Sequence, residues 1–154
     1  MVFKNRTEAG KVLAGRLSQY RDKDALILAL PRGGVPVARE VASALNAELD
    51  VVITRKIGAP GNPELAIGAV TDDGTVFLND SLVAGLDVSR DFIDHKIKQA
   101  KSEIADYAKR YRGEQPIPKV ADRVVVIVDD GIATGYTVLA AAEATLRKTL
   151  KSWL

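Results

Sequence analysis

A wholly apolar run, Val124-Val125-Val126-Ile127-Val128, stops at two adjacent carboxylates, Asp129 and Asp130. The segment Gly131-Ile132-Ala133-Thr134-Gly135-Tyr136-Thr137 follows, and an alanine-rich stretch with helical spacing comes after it. This order allows a particular chemistry. Ligands of open parallel sheets sit outside the carboxyl ends of the strands. A helix that starts there offers free backbone N–H groups and a partial positive charge, which suits a phosphate. Gly131 and Gly135 permit close backbone approach, while Thr134 and Thr137 add hydroxyl donors. The two aspartates repel a phosphate and suit hydroxyl groups or a Mg²⁺ ion. A loop with a phosphate end and a hydroxyl end describes a site for a ribose 5-phosphate. The competing reading is a strand–turn–helix corner in which Asp129 and Asp130 only cap the helix.

Two further segments carry charge beside glycine. Ala29-Leu30-Pro31-Arg32-Gly33-Gly34-Val35-Pro36 follows another short apolar run. Its glycines expose backbone N–H groups, and the Arg32 guanidinium is a fork for phosphate oxygens. By itself Arg-Gly-Gly reads better as an ordinary turn. Thr54-Arg55-Lys56-Ile57-Gly58-Ala59-Pro60-Gly61-Asn62-Pro63 leaves a second strand at the same edge. Arg55 and Lys56 are two cations beside it, able to meet an anion or equally to be solvated loop charges.

The segment Val124–Thr137 resembles the phosphoribosyl pyrophosphate (PRPP) motif of type I phosphoribosyltransferases: apolar strand, two acids, three variable residues, then Thr-Gly-x-Thr. Arg32-Gly33-Gly34 resembles the pyrophosphate loop of that family, which in many members holds a non-proline cis peptide; here it would fall at Pro31–Arg32. The stretch Thr54–Val70 is similar to one in a poorly characterised subgroup. The resemblance implies a Mg²⁺-dependent transferase of nucleotide metabolism and salvage. It would displace pyrophosphate from PRPP and join the ribose 5-phosphate to a nitrogenous base. Asp129 and Asp130 would hold the ribose hydroxyls and favour the cationic sugar; Mg²⁺ would be held mainly by PRPP, with at most water-mediated contact to the two acids. Residues Gly131, Ile132, Ala133, Thr134, Gly135, Tyr136 and Thr137 would hold the 5-phosphate. Arg32, Gly33, Gly34, Arg55 and Lys56 would hold the pyrophosphate. Ala133 stands where the hypoxanthine–guanine branch has an aspartate, so the acceptor base stays open. A different class of function is a non-catalytic regulator that senses PRPP or binds RNA on the same fold.

The elements that must position these loops follow from periodicity. Apolar spacing predicts helices over Thr7–Tyr20, Val35–Leu45 and Tyr136–Leu150, with Ser89 capping a long one to Arg112. Strands are expected over Ala25–Leu30, Leu49–Thr54 and Arg123–Val128. Asp73-Gly74 predicts a two-residue hairpin between Ala66–Thr71 and Thr75–Leu78. The glycines and prolines from Ile57 to Pro63 predict an irregular loop. Strand, Gly-rich turn, helix, strand is a βαβ unit with a parallel sheet. The expected fold is therefore α/β: a Rossmann-like parallel sheet of the type I phosphoribosyltransferase fold with one β-hairpin and a long accessory helix. Residues 1–154 are read as a single domain. Family members continue past the helix after the PRPP loop, so the chain is expected to lack the last core strand or strands. A second copy covering the open edge would make it a homo-oligomer.

Composition bounds the rest. The 154 residues are 47% hydrophobic and 27% charged, which is globular and far from disordered. No cysteine excludes disulfides, thiolate ligands and cysteine nucleophiles, and a single histidine, His95, excludes a multi-histidine metal centre. A net charge of +2 argues against RNA. Apolar runs are far shorter than the roughly 20 residues of a membrane span, which leaves a cytoplasmic protein without membrane partners as the expectation. His95 and the lysines of the long helix read as a solvated face.

Overall fold

The computed structural model describes residues 2–132 and 135–151, the side chains of Tyr136 and of 147–151 excepted. The chain divides into two compact units, one of residues 1–52, 115–133 and 145–154, the other of 53–114 and 134–144.

The first unit is built on a parallel sheet. Its strands are β1 (Leu26–Ala29), β2 (Glu48–Val51) and β6 (Val125–Val128), in the order β2-β1-β6. Every residue of β1 is buried, as expected for the central strand of a covered parallel sheet. Helix α2 (Gly34–Leu45) buries Val37, Ala38, Val41, Ala42 and Leu45, the apolar stripe read from its spacing. Asn46 ends it in the left-handed conformation that asparagine tolerates. Helix α1 runs over Arg6–Arg16, and a 3₁₀ turn covers Ser18–Tyr20. The cap of α1 is Asn5, its side chain accepting from the N–H of Glu8 at 2.9 Å. At the amino end of the sheet Arg123 donates to Glu48 at 2.6 Å and to the carbonyls of Asp24 and Ala25, tying three segments together.

In the second unit the hairpin gains a strand. β3 (Thr54–Ala59), β4 (Asn62–Thr71) and β5 (Val76–Leu78) form an antiparallel meander, so Ile57–Pro63 is not the irregular loop its composition suggests. The glycines and prolines serve a tight turn and an irregularity within strands. Gly61 takes φ +72 at the β3–β4 turn. The register shifts between Ile57 and Gly58 and again before Ala59, and Pro63 falls in that unpaired stretch. The β4–β5 connection also departs from a two-residue turn. The N–H of Gly74 donates to the carbonyl of Thr71, and Gly74 has positive φ while Asp73 does not. Two helices complete this unit: α3 (Asp80–Gly85) and the long α4 (Arg90–Tyr111), capped by the hydroxyl of Ser89. Ile93, Ala100 and Ile104 are its buried stripe, and His95 is exposed. Helix α5 (Tyr136–Lys151) follows the segment after β6. Among the described residues no helix is long and apolar enough to cross a membrane.

Candidate functional site

β1 and β6 are neighbours in parallel register, with Ala29 opposite Val128. Their following turns therefore leave the same end of the sheet side by side, which is where ligands of such sheets sit. The N–H of Leu30 donates to the carbonyl of Val128 at 2.9 Å and closes the pairing at that edge. Beyond it, Pro31, Arg32, Gly33 and Pro36 from one turn and Asp129 and Asp130 from the other line an open cleft of about 470 Å³. The Pro31–Arg32 peptide is cis, at the position the resemblance implied.

The glycine pair has a steric reason that the sequence reading did not supply. The carboxyl group of Asp130 occupies the place that a β-carbon on Gly33 would take. A β-carbon on Gly34 would stand 2.5 Å from the carbonyl oxygen of Val128 and 3.0 Å from the α-carbon of Asp129. Two glycines are thus needed for the turn after β1 to pass the end of β6. Only one of their N–H groups is open to a ligand. That of Gly34 donates to the carbonyl of Leu30 at 3.0 Å, whereas that of Gly33 has no acceptor among the described residues. Helix α2 begins at Gly34 without a side-chain cap, so its positive end adds to the attraction for an anion at the cleft. Arg32 is exposed and has no ion-pair partner among the described residues.

The two acids are electrically unlike. Asp129 is partly buried, and burial raises its carboxyl above the ordinary value; its Oδ1 accepts from the N–H of Asp130 at 2.8 Å. Asp130 is held below the ordinary value by hydrogen bonds from Arg6, whose Nε and Nη2 reach Oδ2 at 2.8 and 2.5 Å. Arg6 lines the same cleft. No spacing rule links it to a carboxylate 124 positions away.

The other expected site residues are distributed as follows. Gly131 and Ile132 are exposed directly after the acids, and Gly131 has open space where a side chain would be. Ala133 and Thr134 lie outside the described residues. Gly135 takes φ +80 and accepts from the N–H of Leu139 at 2.9 Å, so Tyr136 and Thr137 open helix α5. Arg55 and Lys56 lie on β3 in the second unit, where each is engaged by a carboxylate. Arg55 pairs with Glu103 at 3.1 Å and lies 4.1 Å over the ring of Tyr107; Lys56 pairs with Glu64 at 2.8 Å.

The profile of the family described as the phosphoribosyl transferase domain matches residues 4–151. The chain belongs to that family. This phosphoribosyl transferase domain is 47% identical over 143 residues to proteins of two strains of Mycobacterium tuberculosis, which are named, provisionally, as phosphoribosyl transferases. The match covers 92% of the chain and 32% of each relative, so the chain spans about a third of their length. A crystal structure of TT1426 from Thermus thermophilus superposes with a TM-score of 0.82 at 39% identity, covering 97% of this chain and 71% of that one. The α/β fold with its parallel sheet is thus the phosphoribosyl transferase fold, as the resemblance implied.

Proposed function

We propose that the protein binds PRPP in the cleft of the first unit and transfers its ribose 5-phosphate to a nitrogenous base, releasing pyrophosphate. The observation that supports this most is the placement of Arg32, a cation without an ion-pair partner among the described residues, and two carboxylates, Asp129 and Asp130, around one cleft at the carboxyl ends of adjacent parallel strands. In the reaction the bond from the anomeric carbon to the pyrophosphate oxygen breaks, with its electron pair leaving on oxygen. A nitrogen lone pair of the base forms the new bond to that carbon, and the base gives up a proton. The transition state resembles an oxocarbenium ion, so positioning and charge carry most of the catalysis.

Each residue has a role suited to its chemistry. Arg32, the N–H of Gly33 and the start of α2 attract the pyrophosphate oxygens. The carboxylates accept hydrogen bonds from the ribose hydroxyls, and their negative charge favours the sugar as it becomes cationic. Gly131, Ile132 and the residues through Thr137 take the 5-phosphate.

The donor set fits a Mg²⁺ ion carried by the ligand rather than one caged by the protein. Among the described residues no three acidic or histidine side chains gather to hold a metal, and Oδ2 of Asp130 is already taken by Arg6. Asp129 and Asp130 would meet such an ion through water, and the ion would neutralise pyrophosphate charge. The acceptor is a purine- or pyrimidine-like base.

Calorimetric titration with PRPP, with and without Mg²⁺, tests the reading, followed by pyrophosphate release with a panel of bases. Mg²⁺-dependent binding followed by release with one base is the expected result. Binding without release under any base would leave a PRPP sensor, and no binding by the folded protein would overturn the reading.

A further inference from the structure

Helix α1 meets α2 at a glycine. A β-carbon on Gly10 would lie 2.7 Å from both the carbonyl oxygen of Val37 and the Cβ of Glu40, so the two helices approach closely at that point. Ala14, one turn later on the same face, is buried as well. Arg6 is one turn earlier on that face, directly after the Asn5 cap, and the close crossing fixes where its guanidinium can reach. It reaches Asp130. Both Nε and Nη2 donate to the same oxygen, Oδ2, so the guanidinium does not straddle the carboxylate. On the other side the Asp130 carboxyl rests against the backbone of Gly33.

We propose that Arg6 is a positioning residue of the site, gripping Asp130 by Oδ2 while the whole carboxyl rests against the Gly33 backbone, so that Oδ1, which the guanidinium does not use, accepts a hydroxyl of the bound ribose. The pair is ill suited to serve the fold alone. The side chains are 59% and 30% exposed, and ion pairs that open to water contribute little to stability. The position matters more than the energy. Two neighbouring carboxylates repel each other and any polyphosphate that approaches; the guanidinium cancels one charge at the cleft wall without occupying both oxygens of its partner. This role rests on the PRPP reading.

The test is a double-mutant cycle read by PRPP calorimetry on the full chain with Mg²⁺, with melting temperature as the control for folding. Arg6→Ala is expected to weaken PRPP binding roughly tenfold, within the usual range of coupling between two side chains in contact with each other, here Arg6 and Asp130. Asp130→Asn is expected to weaken it by at least as much. The double variant should bind no more weakly than Asp130→Asn alone, because Arg6 acts through that carboxylate. Arg6→Lys keeps the charge with a single donor group and should recover part of the loss. Additive losses would mean that Arg6 touches the ligand itself and would overturn the positioning role. So would unchanged or tighter binding in Arg6→Ala, no recovery in Arg6→Lys, or a fall in melting temperature that accounts for the lost binding. A wild-type chain that fails to bind PRPP is a separate result: it removes the functional reading, and this role with it.

Discussion

Gly34 and Val128 are packed backbone to backbone: a β-carbon on the glycine would lie 2.5 Å from the valine carbonyl oxygen. That contact brings the turn after β1 against the end of β6, and with it Arg32 beside the acidic pair. Gly34→Ala must therefore move one strand end relative to the other. The expected cost is about 1–3 kcal/mol, typical of overpacking, seen as a lowered melting temperature. PRPP affinity should fall more than stability does. A variant with unchanged melting temperature and unchanged affinity would show that the two turns can separate freely.

Arg32 is exposed and has no ion-pair partner among the described residues, so its removal should leave the fold alone. Arg32→Ala is expected to change stability by no more than about 0.5 kcal/mol. If the guanidinium serves the pyrophosphate, PRPP binding should weaken roughly tenfold or more, the loss of a charge-assisted hydrogen bond. Ribose 5-phosphate, which lacks the pyrophosphate, should bind the variant and the parent equally. Equal losses for both ligands would move Arg32 away from the pyrophosphate.

The acidic pair should titrate in a fixed order. Burial raises Asp129 above its ordinary value, and the hydrogen bonds from Arg6 lower Asp130 below its own. As pH falls, the first proton goes to Asp129 and the second to Asp130. The signs for stability are opposite. Asp130 has a folded value below its unfolded one of about 3.9, so its stabilisation is fully present above that unfolded value and is lost as pH falls through the folded value. Asp129 opposes folding at neutral pH, and the penalty is relieved as pH falls through its raised value. Carboxyl NMR titration should give this order, and Arg6→Ala should raise Asp130. A lower value for Asp129 than for Asp130 would contradict it.

In the second unit, Arg112 and Asp72 form a buried ion pair at 2.8 Å, with side chains 8% and 2% exposed. It ties the end of α4 to the β4–β5 turn. Arg112→Ala leaves a buried carboxylate without that partner, and the expected cost is about 3–5 kcal/mol. Urea unfolding should register it as a lowered midpoint. A loss below about 1 kcal/mol would mean that water or a neighbour replaces the guanidinium.

How far the sequence could be read depended on the range of the interaction. β1, β6, α2 and α4 were legible because each carries its own pattern: short apolar runs ending in turn residues, or an apolar stripe closed by a capping side chain such as that of Ser89. The segment from Ile57 to Pro63 was misread, since glycine and proline density marks a turn and an irregular strand pairing as readily as a loop. The pairing of β3 with β4 settles that difference, and partners such as Ala66 and Gly68 lie outside the segment itself.

The candidate site divides in the same way. By itself the sequence determined the order apolar strand, acids, glycine- and threonine-containing turn, helix, because dihedral preference and side-chain chemistry are local properties. It also marked Arg32-Gly33-Gly34 as a turn with a charged fork. Only the tertiary structure decided that the two turns share a cleft, since that follows from β1 and β6 pairing in parallel across about a hundred residues. The same is true of the glycines: their type was visible, but the atoms of Val128 and Asp130 that exclude a β-carbon were not. Arg6 is the clearest case. Nothing near it in the chain distinguishes it from any arginine in the first turn of a helix. Its partner is set by the close crossing of α1 over α2 at Gly10, a packing relationship that no local pattern encodes.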